Sequence, residues 1–249
     1  MIILKKASEI AKMREAGRVV ARAIRTMHEA IVPGKTTPKD LDDLAARLVA
    51  EAGGICSFYK YRDYPAHTCI SVNEVVIHGI PDSRPIVDGD IIDLDIGVTL
   101  DGWSADAAWT FPIGTVTPSA QRLLNVSRES LFQGIAKARV GNRTGDIGAA
   151  VQKYVESNGY SVVRDLVGHG IGRTVHEEPS VPNFGKAGKG ELLREGTTIC
   201  IEPMVNEGTF KVETLKDKWT VVTADGKLSA HFEHTVAITK DGPEILTVE

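Results

Sequence analysis

The first part of the chain alternates between helical patterns and short apolar runs. After Ser8, which can cap a helix, apolar residues recur in steps of three and four from Ile10 to Ile31. This spacing predicts a long helix with one buried face. A second helix is predicted to start where Thr37, a cap candidate, precedes Pro38.

Beyond the second helix the pattern changes to that of strands. Residues 55–72 are rich in aromatic and β-branched side chains and predict a loop and a strand, and residues 75–78 predict another strand. Residues 91–98 and 107–111 favour a hairpin around the turn at residues 100–102.

The same order of elements then returns. A helix is predicted after Thr117-Pro118 and a shorter one ends at Gly159, while the sequence His78-Gly-Ile-Pro returns as His176-Glu-Glu-Pro. We interpret this as a duplication within a single domain, 1–249, with halves of about 1–116 and 117–249.

Two such halves predict an α+β fold with pseudo-twofold symmetry. Their strands would pair into one antiparallel sheet covered by helices on one side, and a cleft between the halves would collect side chains from both. The alternative is that the repeated motifs are ordinary turn chemistry, which recurs by chance in α/β chains.

Composition limits the class of protein. The 249 residues are 42% hydrophobic and 25% charged with a net charge of −4, which is typical of soluble globular proteins and gives no basic excess for nucleic acid. Three cysteines without a CxxC pair favour free thiols in a reducing cytoplasm. The sequence shows neither a signal-peptide pattern nor an apolar segment of the about 20 residues that a membrane span needs.

Acidic residues occur inside the strand-like runs. Asp93 and Asp95 fall on one face of a run so apolar that it should be buried, and a buried carboxylate is costly unless it is paired or binds a metal. Asp106, across the predicted hairpin, can face the same side. Glu202 and Glu233 take comparable positions in the second half.

His169 lies between glycines, which would let another group approach its imidazole. Four carboxylates and one imidazole meeting in a cleft would require divalent cations, and an oxygen-rich set suits Mn²⁺, Fe²⁺ or Co²⁺ better than structural zinc. Each acid taken singly could be an ordinary turn or edge residue; together they favour a two-metal site.

These motifs closely resemble those of type I methionine aminopeptidases along essentially the whole chain. The motifs are Asp93-Leu-Asp95, Gly168-His169-Gly-Ile-Gly-Arg, Ile201-Glu202-Pro-Met and Phe232-Glu233-His-Thr. The resemblance implies the pita-bread fold, shared with prolidases and creatinases. It also implies a metal-bridged hydroxide that removes the initiator methionine from nascent chains, chiefly when the second residue is small.

The resemblance also assigns the metal ligands. It implies that Asp95 binds one divalent ion, that His169 and Glu202 bind the other, and that Asp106 and Glu233 bridge the two. Cobalt, manganese and iron are the ions it suggests.

Three residues acquire catalytic roles from the resemblance. Glu202 is the proton acceptor from the bridging water, His78 contacts the substrate amide or N-terminal side, and His176 hydrogen-bonds the scissile carbonyl and the oxyanion. The alternative for His78 is an ordinary histidine at the end of a strand.

The resemblance places the wall of a methionine pocket at Tyr61, Tyr64, Cys69 and Trp219, where aromatic and sulfur neighbours suit a thioether. The alternative for each of them is core packing. A monovalent-cation loop of the family is matched by three carbonyl groups, those of Asn73, Val75 and Ser229.

The chain departs from the family pattern at three places. Ser104, Ala105 and Ala107 surround the bridging aspartate where the family usually has His-Gly before it and Thr after it, so metal affinity or rate is expected to suffer. Val175 replaces an aromatic residue of the pocket and should loosen that wall. Phe58 replaces a second cysteine.

Two other functions share parts of this sequence pattern. An Xaa-Pro dipeptidase of the same fold would normally add an N-terminal domain, whereas the first helix here begins by residue 8. A non-catalytic pita-bread protein that binds peptides or RNA would tend to lose ligands, and all five are present. We therefore expect a cytoplasmic monomer that acts on peptides and nascent proteins with N-terminal Met, at the ribosome, without nucleic acid or membrane partners.

Overall fold

The computed structural model describes residues 2–249, so Met1 of the predicted domain lies outside the described residues. The helices within them are α1 Ala7–Glu29, α2 Pro38–Glu51, α3 Pro118–Ile135 and α4 Thr144–Ser157, with a 3₁₀ turn at Tyr61–Asp63. The strands are β1 Ile55–Cys56, β2 Cys69–Val72, β3 Val75–Ile77, β4 Ile91–Leu100, β5 Trp103–Pro112, β6 Ser161–Val162, β7 Gly168–Gly170, β8 Glu177–Val181, β9 Thr198–Ile201, β10 Met204–Asn206, β11 Val212–Thr214, β12 Val221–Thr223, β13 Ser229–His231, β14 His234–Thr239 and β15 Gly242–Ile245.

The helix starts test the capping predictions. Helix α2 begins as expected, because Thr37 Oγ1 accepts a hydrogen bond from Asp40 N (3.2 Å) and the Asp40 carboxylate accepts one from Thr37 N (2.9 Å). The prediction that Ser8 caps α1 is wrong. The helix starts two residues earlier, at Ala7 with Lys6 at the cap, where the Glu9 carboxylate accepts the Lys6 N–H at 2.8 Å.

Strands β4 and β5 form the predicted hairpin, and each is longer than the sequence indicated. Leu100 pairs with Trp103, so the two-residue turn consists of Asp101 and Gly102, with φ of 50° and 73°. Positive φ at both positions is what a type I′ hairpin turn requires.

All strand pairs are antiparallel, but they form four hydrogen-bonded ladders instead of one. The orders are β1-β4-β2 with β5 on β4, β15-β14-β9-β7-β8, β13-β10-β6 and β11-β12-β3. The sheets of the two halves meet where Trp109 bridges Phe232 and where Glu233 N donates to Ala108 O at 2.8 Å. The strand is interrupted here between β13 and β14, and Glu233, which lies in the interruption, lines the cleft.

Each half has its own apolar core, and the predicted order of two helices followed by strands occurs twice. Helices α1 and α2 cover β4 in the first half, and α3 and α4 cover β9 and β14 in the second. A third cluster joins the halves beside the cleft and includes Met13, Trp103 and Ile171. None of the helices in residues 2–249 combines the length and apolar character needed to cross a membrane.

Candidate metal centre

One cavity of about 210 Å³ lies between the halves. The structure brings to its wall the predicted metal ligands, the two catalytic histidines and the four pocket residues, but not Val175 or the residues of the predicted monovalent-cation loop: Tyr61, Tyr64, Cys69, His78, Asp95, Asp106, His169, His176, Glu202, Trp219 and Glu233. The same wall includes Phe58, Arg62, Ile77, Leu166, Val167 and His231.

Four carboxylates reach this cavity from both halves. Asp95 and Asp106 share a face of the hairpin, because Asp95 pairs with Ala108 and Asp106 with Gly97 in the ladder. Glu202 directly follows β9, and Glu233 lies between β13 and β14. All four residues are less than a tenth exposed, so the duplicated strands have placed acids where water cannot solvate them fully.

Burial and mutual repulsion oppose ionisation of these acids. Burial raises the pKa of Asp106 to about 7. Burial, followed by the charge of Asp106, raises the pKa of Asp95, Glu202 and Glu233 well above their ordinary values. Bound cations would reverse this effect, because they stabilise the ionised forms.

The oxygen atoms of the cluster fit such cations. Among residues 2–249, Asp95 Oδ1, Asp106 Oδ1 and Glu233 Oε1 are buried without a hydrogen-bond partner. Buried oxygens without a partner are unfavourable, and divalent cations that prefer oxygen ligands would satisfy them.

His169 contributes the nitrogen donor. Its Nδ1–H donates to Gly170 O at 2.9 Å, which leaves Nε2 free, 3.5 Å from Glu202 Oε1 and 3.9 Å from Asp106 Oδ2. Burial, and then the neighbouring His176, lower the pKa of His169 to about 3. The ring is therefore neutral at pH 7, as a metal ligand must be.

The glycines beside His169 serve a purpose other than the one expected. A Cβ on Gly168 would come within 2.4 Å of Cys200 O, and one on Gly170 within 2.1 Å of Glu178 O. They let β7 fit between neighbouring backbones, and it is the backbone of β8 and β9, not a group approaching the imidazole, that fills the space.

The sequence interpretation missed Cys200 near the ligands. One ligand atom from each of Asp106, His169, Cys200 and Glu233 lies within 4.8 Å of the other three. Cys200 is two residues before Glu202, so the period of two along β9 could have indicated its position. Its thiol is buried, 3.6 Å from Thr235 Oγ1.

Two imidazoles border the cavity from turns in corresponding places. His78 follows β3 in a left-handed conformation (φ 58°), which is strained for a residue other than glycine. Burial, then His231 and His176, lower its pKa to about 4. His176 is partly exposed to solvent, and its ring centroid lies 4.1 Å from that of His169. Partial burial, then Arg62, lowers its pKa to about 4.

A buried ion pair holds the turn that carries His176. Lys5 Nζ donates to Glu177 Oε2, and the two side chains are 2% and 9% exposed. Glu177 also accepts the Arg173 N–H at 2.7 Å, and Thr174 Oγ1 donates to His176 O at 2.9 Å. The N-terminal segment therefore fixes this turn.

The apolar side of the cavity contains the predicted pocket residues. Tyr64 is held by hydrogen bonds from its hydroxyl to Thr68 O (3.0 Å) and Gly79 O (3.1 Å), and it packs edge-on against Trp219 at 5.0 Å. Val175, expected to form part of the wall, is instead buried in the adjacent cluster and does not line the cavity.

The hydroxyl that contacts Asp106 comes from Thr235 and reaches its backbone, not its carboxylate. Ala107 cannot offer the hydroxyl that the family pattern has there, but Thr235 Oγ1 accepts from Asp106 N (2.9 Å) and donates to Asp106 O (2.8 Å). This threonine holds the backbone of the aspartate and comes from the other half of the chain.

Duplicated halves that enclose a buried, oxygen-rich ligand set define a metallohydrolase cleft. The sequence profile of metallopeptidase family M24 matches residues 11–240. The chain belongs to this family.

Relatives that align with the chain over its whole length narrow the family to one kind of enzyme. The chain is 52% identical to a methionine aminopeptidase of Clostridium perfringens, covering 100% of this chain and 99% of that one, and 49% identical to methionine aminopeptidase 1 of Bacillus subtilis, covering 99% of each. The crystal structure of the Rickettsia prowazekii methionine aminopeptidase superposes with a TM-score of 0.98 at 40% identity and complete coverage of both chains.

Xaa-Pro-specific enzymes share the architecture only. The prolidase of Pyrococcus furiosus is 20% identical with a TM-score of 0.80, and the match covers 99% of this chain and 66% of that one. This likeness establishes the pita-bread fold and does not favour the dipeptidase alternative.

Proposed function

We propose that this chain is a metal-dependent methionine aminopeptidase that removes N-terminal Met from peptides and nascent proteins with a small second residue. The observation that carries the proposal is the placement of five candidate ligands around one buried cavity with an apolar wall. Identities near 50% over whole chains support the same function.

The five ligands divide between two cation positions. We propose that Asp95 serves one position, that His169 and Glu202 serve the other, and that Asp106 and Glu233 belong to both. Two divalent cations there would lower the pKa of a water molecule and polarise the scissile carbonyl. Mn²⁺, Fe²⁺ and Co²⁺ match the donors.

Three side chains then act on the water molecule or the substrate. Glu202 accepts the proton released by the attacking water. His176, neutral at pH 7 because its pKa is lowered, donates an N–H to the scissile carbonyl oxygen, where negative charge develops. His78 contacts the substrate amide from the opposite turn.

The apolar wall selects the side chain of the first residue. Tyr61, Tyr64, Cys69 and Trp219 offer aromatic faces and a sulfur atom to a thioether. The candidate ligands line the same cavity of about 210 Å³, so this wall lies directly beside the proposed cation positions.

Further expectations belong to the same proposal. The chain would act as one catalytic domain, a cytoplasmic monomer that meets nascent chains at the ribosome. The carbonyls of Asn73, Val75 and Ser229 would bind a monovalent cation. Asn73 has a φ of 56°, and its carbonyl accepts the Ser229 N–H at 3.0 Å, which keeps two of these three residues together.

The proposal is tested with the purified protein stripped of metal and then given Mn²⁺, Fe²⁺ or Co²⁺ singly. We expect hydrolysis of Met-Ala-Ser with at least one ion, slower hydrolysis of Met-Leu-Ser, and none of Xaa-Pro dipeptides. Cleavage of Xaa-Pro dipeptides but not Met-Ala-Ser would favour the dipeptidase, and no cleavage of either would contradict the proposal.

A further inference from the structure

A buried imidazole that has no role in the proposed chemistry lies beside the candidate ligands. His231 ends β13, is 2% exposed and lines the cavity. Its Nδ1 lies 3.2 Å from Asp93 Oδ2. Its Nε2 is buried and has no hydrogen-bond partner among the described residues, which is unfavourable unless a partner comes within reach.

Glu202 is the group that this nitrogen faces. Glu202 Oε2 lies 4.0 Å from His231 Nε2, whereas Oε1 lies 3.5 Å from His169 Nε2. The carboxylate therefore lies between two imidazoles, with one oxygen toward each. Because His169 is a candidate metal ligand, Oε1 faces the cation position and Oε2 faces His231.

His231 is held more firmly than the carboxylate it faces. Thr110 Oγ1 accepts from His231 N (3.0 Å) and donates to His231 O (2.7 Å), which fixes the backbone. Asp93, opposite Thr110 in the β4–β5 ladder, holds the ring. The first half of the molecule thus fixes the direction of Nε2, on a strand of the second half, before any ligand binds.

We propose that His231 is a positioning residue for Glu202. With Nδ1 accepting the proton of the Asp93 carboxyl group, the neutral ring carries its hydrogen on Nε2. This Nε2–H donates to Glu202 Oε2 and keeps Oε1 turned toward the cation position, and a small rotation of the Glu202 carboxylate brings the 4.0 Å separation into hydrogen-bonding range. Residues that orient a metal ligand in this way commonly control metal affinity. The inference rests on the proposed function, because it gives His231 a task within that site.

Two substitutions separate this role from simple packing. His231→Leu removes the donor, whereas His231→Gln retains a side-chain N–H that can reach Glu202. His234→Leu is the matched control: His234 is also buried, on the adjacent strand, but its Nδ1 lies 2.8 Å from Thr247 Oγ1 and the ring does not line the cavity. If His231→Leu does not fold, His231→Asn, which is polar but shorter, replaces it.

The measurement is calorimetric titration of each metal-free protein with Co²⁺, followed by kcat and KM for Met-Ala-Ser. We expect His231→Leu to weaken the tighter Co²⁺ step by roughly 10–100-fold and to lower kcat more than KM changes. His231→Gln should restore both within a few-fold of the wild type, and His234→Leu should bind Co²⁺ like the wild type whatever its thermal stability.

Two results would overturn the inference. Equal Co²⁺ affinities for His231→Leu and His234→Leu would show that His231 only packs. A His231→Gln protein as weak as His231→Leu would show that the ring nitrogen itself is required, as for a direct metal ligand. A wild-type protein that binds no Co²⁺ and leaves Met-Ala-Ser intact would instead overturn the proposed function, and the inference with it.

Discussion

The two halves of the molecule hold their acidic pairs in different ways. In the first half, Asp95 and Asp106 lie on one hairpin whose strands pair without interruption over ten residues each. In the second half, Glu202 follows a four-residue strand, and Glu233 lies in the break between two strands. The first pair is fixed by a ladder, and the second depends more on its neighbours.

The neighbours of the acids differ as well. The second half adds His169, whose free Nε2 faces Glu202 and Asp106, and the first half offers Asp95 no matching imidazole in the proposed ligand set. A nitrogen donor strengthens binding of transition metals. With the proposed ligand set, duplication gives two similar acid pairs and two unequal cation positions.

Removing the carboxylate shared by both positions should weaken both of them. We expect Asp106→Asn to lower turnover of Met-Ala-Ser by roughly 10⁴-fold, about 5 kcal/mol of transition-state stabilisation, and to weaken both cations. Initial rates and metal content by mass spectrometry check this. Asp43→Asn, at an exposed acid on α2, is the control, and near-normal turnover of Asp106→Asn would contradict the ligand assignment.

The buried ion pair between Lys5, near the N-terminus, and Glu177, in the second half, should stabilise the fold. Lys5→Met leaves Glu177 buried without its partner, which should lower the free energy of unfolding by about 3–5 kcal/mol. Urea denaturation measures the loss. The double variant Lys5→Met with Glu177→Met should recover part of it, and a single variant as stable as the wild type would mean that the turn carrying His176 is held by its other hydrogen bonds.

The imidazole of the second-half turn should act on the reaction and not on the metals. We expect His176→Ala to lower turnover by roughly 100-fold, about 3 kcal/mol, as loss of an oxyanion donor does, with metal content unchanged. The same substitution at His78 provides the first-half comparison. Loss of metal from His176→Ala would show that its role has been assigned wrongly.

The smallest expected effect is the contribution of His28, in the first half, to the pH dependence of stability. His28 stacks on Phe111 at 3.9 Å, and burial lowers its pKa against the opposing charge of Glu29. With a lowered folded-state pKa, the unfolded chain takes up a proton first, so stability falls as the pH drops below the ordinary value of 6.5. The free energy of unfolding at pH 7.5 and 5.5 should change less in His28→Gln, and an identical change would refute this contribution.

Local signals in the sequence predicted much of this architecture. The helix cap at Thr37 and the turn at Asp101-Gly102 depend on neighbouring residues only, and both formed as expected. The start of α1 was misplaced because the carboxylate of Glu9 at Lys6 competes with Ser8. The acids Asp95 and Asp106 could be placed on one face because strands alternate with period two.

The remaining features depend on contacts between distant segments. Neither the bridge between Trp109 and Phe232 nor the pairing of Lys5 with Glu177 has a local signature. His231 lies two residues before Glu233 and could have been placed near the cleft by strand period, but its partner Asp93 comes from the other half. Such contacts arise only when the halves pack.

The inequality of the two cation positions is tested most directly by calorimetric titration of metal-free wild type, His169→Ala and Asp95→Asn with Co²⁺. The account predicts two steps of different affinity in the wild type, loss of the tighter step in His169→Ala and loss of the weaker step in Asp95→Asn. Two equal steps in the wild type, or the same step lost in both variants, would contradict it.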